Sequence, residues 1–318
     1  MARRNRRRRG AEAPGPYGFL VVDKPSGWTS HDVVDAARRW IGDRRVGHLG
    51  TLDPLATGVL PLAVRAATKL VPYVHDHDKS YAGTVHLGVE TDTLDAQGQA
   101  LRRHEGPLPD EAALRAALEG FQGEIEQIPP MFSAVKKGGV PLHKLAREGR
   151  EVEREPKTVH IHRIQLLKYE PPLADITVDC SGGTYVRALA ADLGTALGCG
   201  GHLANLRRTR SGPFTLSQAR TPEELSALAE AGRLESGLIP PLGVLGLPGL
   251  RLAPDEIAQL QRGAEIEVED ARQAPGTRMA AHDPEGQVVA IVELRPGRRV
   301  RPLRVLPAAP PTPAAPAG

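Results

Sequence analysis

Residues Gly47 to Pro61 read GHLGTLDPLATGVLP, and no other stretch of this chain restricts its backbone so tightly. Pro54 pushes Asp53 out of the helical region, while Gly47, Gly50 and Gly58 permit tight turns on either side. A helix cannot run through these residues, so Asp53 sits on a loop, with no partner carboxylate beside it. Loops held on a rigid scaffold carry a disproportionate share of catalytic residues, yet Asp-Pro is also an ordinary turn dipeptide. The dipeptide alone leaves both readings open.

The surrounding pattern mixes strands and helices. Gly18 to Val22 is a short apolar run ending in the turn Pro25-Ser26-Gly27, which reads as a strand. Thr29 and Asp32 form a capping box for a helix carrying Val33, Ala37, Trp40 and Ile41 at helical spacing before Gly42 stops it. From Tyr81 to Val89 apolar residues alternate, so Tyr81 opens a strand with one apolar face. A second capped helix covers 110–121, and residues 128–156 form a Gly, Pro and Lys-rich excursion. Ile176, Val178 and Cys180 belong to a strand that ends at Ser181-Gly182-Gly183, before a helix from about Tyr185 to Leu197. Arg187 then falls in the first helical turn, where the helix dipole disfavours a cation and a specific anionic partner is expected. Thr221-Pro222-Glu223-Glu224 starts a further helix.

Residues 236–250, SGLIPPLGVLGLPGL, mark a boundary. Beyond it a helix at 254–262 and strands near 264–269, 277–282, 287–294 and 300–306 suit a small β-barrel. The expected division is a basic tail over 1–16, a main domain over 17–245, a second unit over 250–306 and a Pro/Ala tail over 307–318. The fold class is α+β, with a mixed, largely antiparallel sheet.

The net charge of +3 conceals a polarity along the chain. Residues 1–10 carry six arginines and 295–318 carry five, none with an acid, while the body carries 30 basic against 38 acidic residues. Basic ends fit contact with phosphate backbones, and a solubilising tail is the alternative for residues 1–10. Although 40% of residues are hydrophobic, no apolar run is long enough to span a membrane, and no apolar segment follows Arg9 as in a secretory signal. A cytoplasmic protein is expected. Cys180 and Cys199 lack C-x-x-C spacing and read as core thiols. His75-Asp76-His77-Asp78 has no second ligand group at a recognisable spacing, and the glycines make neither G-x-G-x-x-G nor a P-loop. No metal or cofactor is expected.

The longer string around Asp53 resembles the L-D-P-x-A-T-G motif of the TruB family of tRNA pseudouridine synthases. Asp23-Lys24-Pro25, Lys79-Ser80-Tyr81, Gly183-Thr184-Tyr185-Val186-Arg187 and Leu206-Arg207-Arg208 match further motifs in the family's order. The resemblance implies the pseudouridine synthase fold with a C-terminal unit like a PUA domain, and isomerisation of uridine 55 in the T-loop of tRNA by a monomer without an obligatory protein partner. It makes Asp53 the nucleophile, with Arg187 keeping it ionised and oriented. Tyr81 becomes the residue that stacks on the target base and a candidate base for a ribose proton. His48 would support the RNA loop after the uridine is extruded, with Tyr185 and Leu206 lining the pocket. Arg207, Arg208 and Arg210 form a basic cluster suited to phosphates, and Lys24 supports the active-site turn.

Phe132 and His143 stand where family members often carry tyrosines, which preserves stacking and removes two hydroxyls. The alternatives are a guide-RNA-dependent relative of the dyskerin type and a non-catalytic RNA-binding or folding factor. The wording of GHLGTLDPLATG and NLRRTRSGPF speaks against the first, and the intact Asp53, Tyr81 and Arg187 set against the second. With aromatics at only 3%, phosphate and shape contacts should dominate RNA recognition. The dissociation constant for tRNA is therefore expected to rise steeply between low and moderate salt, and a flat titration would contradict this.

Overall fold

The computed structural model describes residues 15–74, 77–133, 135–150, 152–269 and 271–307, without the side chains of Lys136, Lys137, Pro141, His143 and Arg147. The arginine-rich start, the end of the Pro/Ala tail, His75-Asp76 and the His143 side chain lie outside the described residues.

The apolar run at the start of the chain becomes β1 (Gly18–Lys24), and its two faces enter two different cores. Leu20 and Val22 join a cluster with Val33, Leu60 and Leu62, whereas Phe19 and Val21 join one with Val59, Phe214, Val288 and Ile291. A strand covered on both sides needs no polar alternation, so Phe19 to Val22 is continuously apolar. Helix α1 (Ser30–Ile41) follows, with the capping box at Thr29 and Asp32 and with Gly42 in the left-handed conformation at its end. Next come β2 (Val46–His48), β3 (Thr57–Val64) and β4 (Lys79–Leu87), then α2 (Glu111–Glu119) and β5 (Gly123–Gln127). The antiparallel pair β6 (Lys157–Glu170) and β7 (Leu173–Cys180) leads to α3 (Val186–Ala196), β8 (Gly201–Ser211) and α4 (Pro222–Glu230).

These strands order as β1-β3-β8-β4-β7-β6-β5 within a nine-stranded sheet, with β2 paired to β3. Only β3 and β8 run parallel along that path; the other pairs are antiparallel. The expected mixed, largely antiparallel α+β architecture is present. At the parallel junction Gly58 faces Arg208 in the register, and a Cβ on Gly58 would stand 2.2 Å from the Arg208 carbonyl oxygen.

The second unit contains β9 (Gly249–Arg251), α5 (Pro254–Gln261), β10 (Ile266–Glu267), β11 (Arg278–His282), β12 (Val288–Arg295) and β13 (Arg299–Val305). They form a curled half-barrel in the order β9-β11-β12-β13-β10. Its first strand lies at the end of the Gly/Pro-rich stretch that reads as a boundary, because Gly249 to Arg251 pair in parallel with Ala280 to His282. The boundary is a packed seam. Ile239 exchanges two backbone hydrogen bonds with Phe19, Val244 and Leu245 are buried, and the Tyr17 hydroxyl donates to the Val288 carbonyl.

Gly58 holds φ at +98°, so Gly58→Ala meets backbone strain as well as the Arg208 carbonyl. It is expected to cost about 3 kcal/mol of unfolding free energy, read as a lowered urea midpoint.

Candidate active site

The loop after β2 is held by donors that reach almost every carbonyl of the Asp53 turn. Arg208 donates to the carbonyls of Gly50 (3.3 Å), Thr51 (3.2 Å) and Val59 (2.7 Å). Ser30 Oγ both donates to Leu52 O at 2.9 Å and accepts from Leu52 N at 2.8 Å. The Asp53 carbonyl accepts from Ala56 N, and that of Pro54 accepts from Gly27 N and from Lys24 Nζ. Lys24 also donates to the carbonyls of Pro25 and Trp28. Lys24 and Arg208 are both wholly buried. Burial pushes the Lys24 ammonium down to about 8, against the nearby Asp53 charge that raises it.

Above this turn the carboxylate meets its cation. Arg187, on the first turn of α3, donates from Nε to Asp53 Oδ2 at 2.8 Å. Its other two nitrogens donate to the carbonyls of Thr93 (2.9 Å) and Phe132 (2.8 Å), and the Asp95 carboxylate lies 3.6 Å away. Arg187 and Asp95 are buried, while the Asp53 side chain keeps 37% of its surface open. A guanidinium with every edge engaged fixes the carboxylate's direction through fork geometry, which an ammonium cannot do. The two carboxylates also answer the cost of placing a cation at a helix N-terminus.

The open side of Asp53 faces a cavity of about 240 Å³, lined among others by Thr51, Lys79, Tyr81, Tyr185, Arg187 and Leu206. Tyr81, in β4, is buried, and burial pushes its hydroxyl up to about 12, with Arg208 beside it acting in the opposite sense. The phenol is the form present at neutral pH. Tyr185 caps α3, and its backbone is clamped on both sides by Gln127, which accepts from Tyr185 N at 2.9 Å and donates to Tyr185 O at 3.2 Å. His48 stands outside this cavity, on the wall of a neighbouring one of about 470 Å³ that it shares with Asp53 and Arg187. Its Nδ1 is buried with no protein hydrogen-bond partner, and burial, followed by Arg208 and His31, lowers its pKa so that the ring is neutral at pH 7.

Five residues of the sequence reading thus meet at one cavity: Asp53, Tyr81, Tyr185, Arg187 and Leu206. The proposed arginine cluster does not form. Successive strand residues point to opposite sides, so Arg208 turns inward under the loop while Arg207 grips Asp23 at 2.7 Å and 3.0 Å; a register shift after Arg208 then separates Arg210, which donates to Ser80 and the Gly212 carbonyl. Arg208 is inaccessible to phosphate, and Lys24 likewise supports the turn and touches no solvent. Sequence reasoning passed over Thr93, Asp95 and Gln127. The short-range signal for Asp95 was its turn, in which its carboxylate accepts from Thr93 Oγ1 and Gln97 N around left-handed Leu94. Phe132 contributes its carbonyl to Arg187, a contact indifferent to whether the side chain carries a hydroxyl. Among the described residues no group of three potential metal ligands converges, and no helix is long and apolar enough to cross a membrane.

The main sheet and its cleft are those of the pseudouridine synthase fold. Solved structures sharing it include an H/ACA ribonucleoprotein bound to a substrate RNA containing 2′-deoxyuridine, at TM-score 0.68 and 26% identity, covering 91% of this chain and 84% of that one. A Cbf5–Nop10–Gar1 complex matches at TM-score 0.67 and 27% identity, covering 92% of this chain and 85% of that one. Residues 38–186 match the model of the TruB family pseudouridylate synthase N-terminal domain, and residues 187–242 that of the tRNA pseudouridylate synthase B C-terminal domain. The chain is 46% identical to tRNA pseudouridine synthase B of Geobacter sulfurreducens over 83% of its own length and 87% of the relative's. It is 43% identical to the protein of that name from Pseudomonas paraeruginosa over 91% and 95%. The chain belongs to the TruB family.

Removing the guanidinium leaves Asp95 buried beside no cation. Arg187→Ala is expected to cost about 3–5 kcal/mol of unfolding free energy, with part recovered in Arg187→Ala/Asp95→Ala. Urea denaturation of the two variants measures this coupling.

Proposed function

We propose that this protein isomerises uridine to pseudouridine in tRNA, at position 55 of the T-loop, with Asp53 as the nucleophile. The reaction breaks the C1′–N1 glycosidic bond and forms C1′–C5, while C5 gives up its proton and N1 gains one. Nothing is added or removed overall, so no cofactor is called for. Attack on the ribose, attack on the uracil ring and assistance to a glycal route all require an ionised carboxylate. The observation that carries this reading is Arg187 Nε at 2.8 Å from Asp53 Oδ2, beside a cavity that also presents Tyr81, Tyr185 and Leu206. A detached uracil that stays in so small a space is the next reactant, so a second carboxylate for a leaving group is unnecessary.

Tyr81 contacts the base and handles protons through its neutral hydroxyl, and Tyr185 and Leu206 frame the base. His48, with a buried ring nitrogen awaiting a partner, occupies the space left in the RNA loop when the uridine is extruded. Arg207 and Arg210 lie nearer the RNA than Arg208 and Lys24, which act from beneath the turn. The catalytic unit spans 17–245, and the half-barrel over 250–306 is a PUA-like RNA-binding unit. The protein acts in the cytoplasm as a monomer, on tRNA and without an obligatory protein partner.

Release of tritium from C5 of labelled uridine in a bare tRNA transcript is the test. Wild-type protein is expected to turn over without guide RNA, Asp53→Asn to lose about a thousandfold or more, and Tyr81→Phe to lose about 10²–10⁴-fold while still binding tRNA. Equal rates for wild type and Asp53→Asn would remove Asp53 as nucleophile. A wild type that needs added guide RNA would support the guide-RNA-dependent alternative of the dyskerin type.

A further inference from the structure

We infer that Arg39 and Arg44, across the groove at the C-terminal end of α1, form a second contact for the phosphate backbone of the substrate RNA, away from the isomerised nucleotide. The inference rests on the proposed function in taking the substrate to be a folded RNA arm.

A groove of about 650 Å³ is lined by Asp35, Arg38, Arg39, Gly42, Asp43 and Arg44. Arg45 and Arg65 stand next to it, so five guanidiniums gather here. Three are answered within the protein. Arg38 pairs with Asp35 at 2.9 Å, Arg45 with Asp43 at 2.6 Å, and Arg65 with Asp43 at 3.4 Å and Glu235 at 2.6 Å. Arg39 and Arg44 are exposed and have no acidic partner among the described residues. The negative end of the α1 dipole accounts for a cation at Arg39. It does not account for Arg44, which lies beyond the left-handed Gly42 that ends the helix.

Two elements tie this groove to the reaction site. Ser30 and His31, at the start of α1, line the cavity shared by His48 and Asp53, and the twelve residues of the helix span about 18 Å to its far end. Along the other route, β2 begins two residues after Arg44 and ends at His48, a stretch of about 13 Å. A nucleotide held at Asp53 therefore brings the backbone of its own arm within reach of both arginines. A paired arm is recognised mainly through phosphates and shape, which calls for exposed cations at this spacing and no base-reading groups. On the same side Arg65 donates to Pro16 O at 2.7 Å, and the sequence of residues 1–10 carries six arginines.

Binding of full-length protein to a tRNA transcript, titrated with KCl, tests the inference. Arg39→Ala/Arg44→Ala is expected to weaken binding about tenfold at moderate salt and to flatten the log-log salt slope by about 2, the loss of two phosphate contacts. Its single-turnover tritium release at saturating tRNA should equal that of wild type. Arg115→Ala/Lys168→Ala removes the same charge from exposed pairs with Glu111 and Glu170, and should leave affinity and slope unchanged. Wild-type affinity and slope in Arg39→Ala/Arg44→Ala would overturn the inference, as would an equal loss in the control pair, which would reduce the effect to net charge. A wild type that binds tRNA but releases no tritium would instead sink the proposed function and leave the binding comparison readable.

Discussion

A turn built of glycine, proline and an acidic residue exposes carbonyls faster than it supplies N–H groups, and the site depends on how that deficit is met. Arg208, Lys24 and Ser30 supply the missing donors from beneath. Each buried carbonyl left without a donor would cost about 1–3 kcal/mol, so two buried cations spread over six carbonyls repay part of their own desolvation. Arg208 is therefore bound to the carbonyls on either side of Asp53, at Gly50, Thr51 and Val59, within the Gly47-to-Pro61 motif. The parallel register that sets Gly58 against Arg208 is what delivers the guanidinium there.

Arg187 performs the matching task on the upper side. Its guanidinium joins α3 to the Asp53 loop, the Thr93-to-Asp95 turn and the chain at Phe132. Segments distant in sequence thus agree on one carboxylate position. With Lys24 and Arg208 below and Arg187 at its side, Asp53 carries, among the described residues, the one carboxylate facing the small cavity.

Features fixed by neighbouring residues were legible in the chain. The capping boxes at Thr29 and Thr221, the left-handed Gly42 and the start of α3 at Tyr185 all follow from local donors and dihedral preference. Features fixed by pairing across the sheet were not. Whether Arg207 or Arg208 points outward depends on register with β3 and β4, which no local pattern records. Asp95 was hidden for a similar reason, since its turn reads as an ordinary Asx loop until α3 brings Arg187 against it. The helix start that ordinarily repels Arg187 called for an anionic partner, and the family resemblance named Asp53 as that partner.

The first strand lends one face to each of two cores, and Tyr17, Phe19 and Ile239 fasten the half-barrel's side of it. A connection of that kind is a shared core, not a free linker. The spacing between the half-barrel and the sheet that carries Asp53 is thus set by packed side chains and paired backbone, not by the length of a linker.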